Sequence, residues 1–170
     1  MHNAPLGTRA FRKTITLPAC QLATSATIYM DADNEFTLYV QGKIVGSGTN
    51  WEIPQKFIVN LPPDSSSQVI TIAVFTRNDD GPTSPAGLIA AVDLTVQNTD
   101  CGSAGPSFVT DGTWKFNVGT PVGFQQVGYD DSAWPAAIVE GKYGVSPWGG
   151  VPVPAAVSGS TGPIAGAPST

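Results

Sequence analysis

Histidine occurs once in this chain, as His2 beside Met1. A terminal imidazole frays with the chain end, so triads of the Ser-His-Asp kind, Cys-His dyads and His-ligated zinc are excluded, since each needs an imidazole held in place. Cysteine is nearly as scarce. Cys20 and Cys101 are too few for a zinc cluster or a disulfide scaffold. Each lies just outside a predicted strand, and two readings stay open: a bridge worth about 4 kcal/mol on the chain-entropy model, or two buried thiols acting as small hydrophobes. Positive charge is thin as well. Lys plus Arg number 8 against 13 Asp plus Glu, for a net charge of −5, and no basic cluster offers a phosphate backbone a footprint. No nucleic-acid partner is expected. No apolar run reaches the roughly 18 residues of a transmembrane helix, so no membrane insertion is expected either. The first ten residues include Arg9 and no apolar stretch, which predicts no leader peptide there. No Asn-x-Ser/Thr site occurs.

What is abundant is turn chemistry. Gly at 19 and Pro at 15 suit many short strands better than helices. Ala26, Ile28 and Met30 alternate with Thr27 and Tyr29, and Phe36, Leu38 and Val40 alternate with Thr37, Tyr39 and Gln41. This two-residue period predicts strands with one face on a core. Further strands are predicted at Phe11–Leu17, Lys56–Leu61, Val69–Thr76, Leu88–Val96 and Trp114–Val118. Val69–Thr76 and Leu88–Val96 carry apolar residues on both faces, as central covered strands do. Gln41-Gly42 marks a hairpin, with Gly where positive φ is needed and the turn type left open. Loops are expected at Asp31-Ala32-Asp33-Asn34, Pro62–Ser67 and Asp79-Asp80-Gly81-Pro82. No sustained helical period is present. The fold class is all-β, a sandwich or barrel of at least seven strands. From Val151 onward the chain is Pro, Gly, Ala, Ser and Thr with isolated aliphatic residues. A domain at 1–150 and a linker or stalk at 151–170 are expected.

Three features carry candidate chemistry. Asp31, Asp33, Asn34 and Glu35 gather hard oxygen ligands of the kind Ca²⁺ prefers, which also accept hydrogen bonds from sugar hydroxyls; the alternative is that Asp33 and Asn34 cap a turn. Arg77-Asn78-Asp79-Asp80 sets a forked donor beside acceptors; the alternative is an Arg77 ion pair inside its own loop. Among the four tryptophans, Trp114 reads as core, Trp134 and Trp148 as loop-packing residues, and Trp51, between Gly48-Thr49-Asn50 and Glu52, as an exposed stacking surface. Asp130-Asp131 reads as turn capping rather than a hydrolytic pair.

Four segments together resemble a known family: Asp33–Lys43, Pro85–Ala91, Asp111–Lys115 and Tyr129–Trp134. Their order is that of galactose-binding-like jelly rolls, the sugar-binding sandwiches that accompany β-galactosidases and α-L-rhamnosidases and occur in fungal surface and secreted proteins. The resemblance spans about residues 9 to 150 and implies a jelly-roll β-sandwich without catalysis. It implies ligand roles for Asp33, Asn34 and Trp51, and a calcium ion near the Asp-Asn pair; Gln41 stands where the family's hairpin has Asn. The expectation is therefore a carbohydrate-binding, lectin-like domain acting outside the cell. Its ligand residues would be Asp33, Asn34, Trp51, Arg77 and Asn78, with Ca²⁺ at Asp31, Asp33 and Asn34. The competing readings are a cell-surface or secreted structural or protein-interaction module and a glycosidase accessory fragment, the latter on fold analogy alone.

Overall fold

The computed structural model describes residues 3–62, 64–98, 104–141, 144 and 148–150. His2, Cys101 and the tail 151–170 lie outside them, so one end of the expected bridge and the proposed stalk do too. Cys20 is not a free thiol.

Among the described residues the strands number nine: β1 (Asn3–Thr16), β2 (Gln21–Asp33), β3 (Glu35–Val40), β4 (Lys43–Gly48), β5 (Gln55–Asn60), β6 (Val69–Pro85), β7 (Gly87–Asn98), β8 (Ser107–Val109) and β9 (Lys115–Val118). They form two antiparallel sheets, ordered β4-β3-β6-β1-β9 and β5-β2-β7-β8. The only helices among the described residues are two single 3₁₀ turns, Ser65–Gln68 and Trp148–Gly150. The molecule is an all-β sandwich.

The core follows from the two-residue period. Ala26, Ile28 and Met30 of β2 meet Phe36, Leu38 and Val40 of β3 between the sheets, with Phe57 and Val59 of β5. Burial of each such side chain contributes about 1.5–3 kcal/mol. β6 is buried from Ile70 to Val74 without a break. Its inner residues face this core, while Ala73 joins a second cluster on the outer face with Ala10 and Phe124, flanked by Tyr39, Tyr129 and Trp134. The segment after β9 folds back to form that cover. β7 departs from expectation: Ala90, Val92 and Leu94 are buried but Asp93 and Thr95 are exposed, so one of its faces meets water.

A buried guanidinium pins the returning segment. Arg12, 1% exposed, donates through Nε to Asp131 Oδ2 at 2.8 Å and through Nη1 to the carbonyls of Phe124 and Gln126. Its charge also lies over the Tyr129 ring. Asp130 caps its own turn, its Oδ1 accepting from Ser132 N at 2.9 Å. Asp131 does more than the turn reading foresaw, because Lys115 Nζ also pairs with it at 3.2 Å.

The β3–β4 turn has positive φ at both central residues, 51° at Gln41 and 77° at Gly42, as a type I′ hairpin requires. Glutamine is unusual in that conformation. Here its side chain is fixed from both ends: Nε2 donates to the carbonyls of Ser66 (2.8 Å) and Val69 (3.0 Å), and Oε1 accepts from Thr71 N (2.9 Å). These bonds tie the hairpin to β6.

Two expected loops are strand instead. Asp31, Ala32 and Asp33 end β2, pairing with Ile89, Leu88 and Gly87, and Asp79 to Pro82 lie within β6. The polar end of β2 satisfies its backbone in the ladder, which removes the need for a turn, whereas Asp79 to Pro82 fall where the β1–β6 register shifts, with Gly81 at a φ of 69°. Trp114 precedes β9 rather than opening it.

Candidate functional site: a cleft at the sheet crossover

β2 ends at Asp33 and β3 begins at Glu35, so the chain passes from the four-stranded to the five-stranded sheet through Asn34 alone. Asn34 is stitched to β6 on the way: its N–H donates to Arg77 O at 3.0 Å and its Oδ1 accepts from Asp79 N at 2.8 Å. Beside this crossing, between the sheets, lies a cleft of about 210 Å³. β1 and β6 supply Arg9, Phe11, Arg77 and Asn78; the β2 end supplies Asp33; the start of β7 supplies Leu88 and Ile89. Asp111, Trp114, Phe116, the run from Ala137 to Gly141 and Trp148 complete the wall.

Of the residues singled out in the sequence, the fold brings Asp33, Arg77 and Asn78 to this cleft. Arg77 is 51% exposed and pairs with Asp79 at 2.7 Å and Glu35 at 3.7 Å, so the ion pair within its own neighbourhood exists while the side chain still borders the cleft. Asn78 is buried and structural: Nδ2 donates to Ala4 O at 3.0 Å and Oδ1 accepts from Ser84 Oγ, clasping β1 to the far half of β6. Asn34 and Trp51 are not part of the wall. Trp51 sits half-buried in the β4–β5 connection.

Asp31 differs most from its expected role. It is 1% exposed. Its Oδ1 accepts from Ala32 N at 2.9 Å and its Oδ2 from Trp148 Nε1 at 3.1 Å. Burial raises its pKa to about 7, opposed by those two hydrogen bonds and assisted by the nearby charge of Asp33. One oxygen of Asp31 is thus engaged by an indole and the Asn34 oxygen by a backbone amide. Among the described residues no group of three His, Cys, Asp or Glu side chains could hold a metal ion.

Trp148 packs a loop onto the sandwich as the sequence suggested, but its place in the cleft wall and its bond to Asp31 were missed. Met30, Asp31 and Ala32 are buried in succession, which breaks the two-residue period. The ordinary core covers one face of β2 and the returning C-terminal indole covers the other. A carboxylate out of phase with Ala26, Ile28 and Met30 was the available signal, and it pointed to a loop only while its distant partner was unknown. Asp111 was likewise passed over. Thr113 donates to it from side chain and backbone, holding its pKa below the usual carboxylate range, with Lys13 adding to the effect.

No family model matches the chain. Over 157 residues it is 32% identical to the α-L-rhamnosidase of Streptomyces avermitilis, a stretch that is 88% of this chain and 14% of that enzyme. The structure of that rhamnosidase complexed with L-rhamnose superposes with a TM-score of 0.71. A lectin from Pleurotus ostreatus, solved in complex with GalNAc, is 33% identical with a TM-score of 0.75, covering 86% of this chain and 41% of the lectin. The chain thus spans less than half the length of either relative. The rhamnosidase of Bacillus sp. GL1, at 20% identity and a TM-score of 0.59, shares the fold alone. Two antiparallel sheets in this order fit a galactose-binding-like β-sandwich, and the chain is similar over most of its length to part of the Pleurotus lectin and to one segment of the Streptomyces rhamnosidase.

Proposed function

We propose that this chain is a carbohydrate-binding module that takes a single sugar residue in the crossover cleft, without catalysis and without calcium. The observation that carries the reading is the cleft itself: a concavity with an aromatic and aliphatic wall and the polar groups of Asp33, Arg77 and Asp111 at its border. Apolar walls with a few oriented polar groups are how small-ligand sites bind. At about 210 Å³ it falls below the roughly 300–1,000 Å³ of drug-sized sites, which suits one ring rather than a chain. Similarity to a lectin solved with GalNAc and to a rhamnosidase solved with L-rhamnose supports the same reading.

A non-catalytic role fits the carboxylates. Glycoside hydrolysis needs an acid with raised pKa at the scissile bond. The group with that property, Asp31, is closed off behind Trp148, and Asp111 at the cleft is shifted the other way. The contacts of Asp31 and Asn34, which engage their oxygens with N–H donors, support the calcium-free reading. We place the module outside the cell, where a cysteine that is not a free thiol is at home. Titration calorimetry with galactose, GalNAc and L-rhamnose is the test, repeated with EDTA. Saturable binding unchanged by EDTA is expected, and aryl glycosides should remain uncleaved; silence with all sugars on a broad glycan array would refute the reading. A protein-interaction module is the second reading, favoured by exposed Ile138 and Val139 at the cleft's edge. Pull-down of a partner together with a blank glycan array would select it.

A further inference from the structure

We infer that Trp148 is the stacking platform of this cleft, the aromatic surface on which the C–H face of the bound sugar rests; the inference depends on the carbohydrate-binding reading above. Four tryptophans compete for the role. Trp134 packs against Tyr129, ring centroids 5.6 Å apart, on the outer face of the five-stranded sheet. Trp51 is not part of the cleft wall. Trp114 lines it, but belongs to the main core and is 1% exposed, its Nε1 donating to Val109 O at 3.0 Å.

Trp148 differs on each count. It lines the cleft, is 8% exposed, and is part of neither hydrophobic cluster. The tie that fixes it is polar and sits at one edge of the ring: Nε1 donates to Asp31 Oδ2 at 3.1 Å. An indole held by its N–H edge has its own donor satisfied and meets the cleft with its apolar body, of which little is open to solvent. Sugar recognition wants this combination, a flat apolar face fixed next to hydrogen-bonding groups. Asp33, two residues from Asp31 and so on the same side of β2, reaches the same cleft. A ring fixed before the ligand arrives loses little rotamer freedom on binding. Asp31 is then a positioning residue that acts through Trp148.

The test uses the whole chain labelled with 5-fluorotryptophan. The four ¹⁹F resonances are assigned by Trp→Phe variants, and galactose, GalNAc or L-rhamnose is titrated in. The Trp148 resonance is expected to shift most. Calorimetry adds the energetic arm: Trp148→Ala weakens binding by about tenfold or more, and Trp148→Phe, which keeps a ring, retains most of it. Asp31→Leu weakens binding several-fold, while Asp31→Asn, whose amide oxygen still accepts from the indole, restores it. A Trp148 resonance that stays still at saturating sugar while that of Trp51 moves would overturn the assignment and leave carbohydrate binding intact. If no sugar binds the parent protein, the carbohydrate reading and this assignment fall together.

Discussion

Two charged side chains are buried equally deeply in this molecule and are treated in opposite ways. On the outer face of the five-stranded sheet, Arg12 meets a carboxylate, backbone carbonyls and an aromatic ring. At the crossover end, Asp31 receives two N–H donors and, among the described residues, no cation, and its pKa rises to about 7. Both are 1% exposed. The difference separates a region built to stay shut from one holding a polar group in reserve beside a cavity. A compensated buried ion adds specificity to packing; an uncompensated one is a cost that the fold carries where it borders a cleft.

The sharpest way to break this contrast is to remove the compensated ion. Arg12→Leu leaves Asp131 with Lys115 alone and frees the carbonyls of Phe124 and Gln126. A loss of about 3–5 kcal/mol is expected, read by urea denaturation, and a loss under about 1 kcal/mol would mean the guanidinium is not what holds the returning segment.

The opposite substitution comes next. Asp31 binds its proton more tightly in the folded chain, near pH 7, than in the unfolded one, near 3.8. Its favourable contribution is therefore complete below about pH 4 and is lost as pH rises to 7. Asp31→Asn keeps an acceptor for Trp148 without the charge. Thermal melts should show the variant several degrees more stable than the parent at pH 8, with the gain gone at pH 4; a constant difference across that range would contradict the pH argument.

A neutral anchor gives the intermediate case. Gln41→Ala removes three hydrogen bonds to Ser66, Val69 and Thr71 and leaves a positive φ at alanine. About 1–3 kcal/mol of destabilisation is expected by the same denaturation. Arg77→Ala should have the smallest effect on folding, within about 1 kcal/mol, because its ion pairs with Asp79 and Glu35 stand in water. A larger loss would mean that Arg77 supports the crossover itself.

How much of this was legible in the sequence depends on range. Period-two segments such as Phe36–Val40 announced strands, because alternation is local and each strand carries its own phase. The hairpin at Gln41-Gly42 was legible from glycine, though the bonds that let Gln41 adopt positive φ come from residues 25 to 30 positions away. Asp33, Arg77 and Asn78 were read as site residues and do reach one cleft, since loop-rich strand ends collect there. Asp31 was misread as part of a loop because its burial depends on an indole 117 positions later. Trp51 looked like a stacking surface because its polar neighbours suggested exposure, yet location relative to a cleft is a property of the assembled sheets. Arg12 gave no signal beyond a charge in an apolar strand; its partners follow it by more than 110 residues.

Titration of GalNAc and L-rhamnose into the parent chain, followed at the Trp148 ¹⁹F resonance, bears most directly on the central claim that the crossover cleft is the ligand site. A saturable shift of that resonance, the same with and without EDTA, is the predicted result. Saturable binding seen by calorimetry with every shift confined to Trp51 or Trp134 would contradict it, because the sugar would then sit elsewhere on the sandwich.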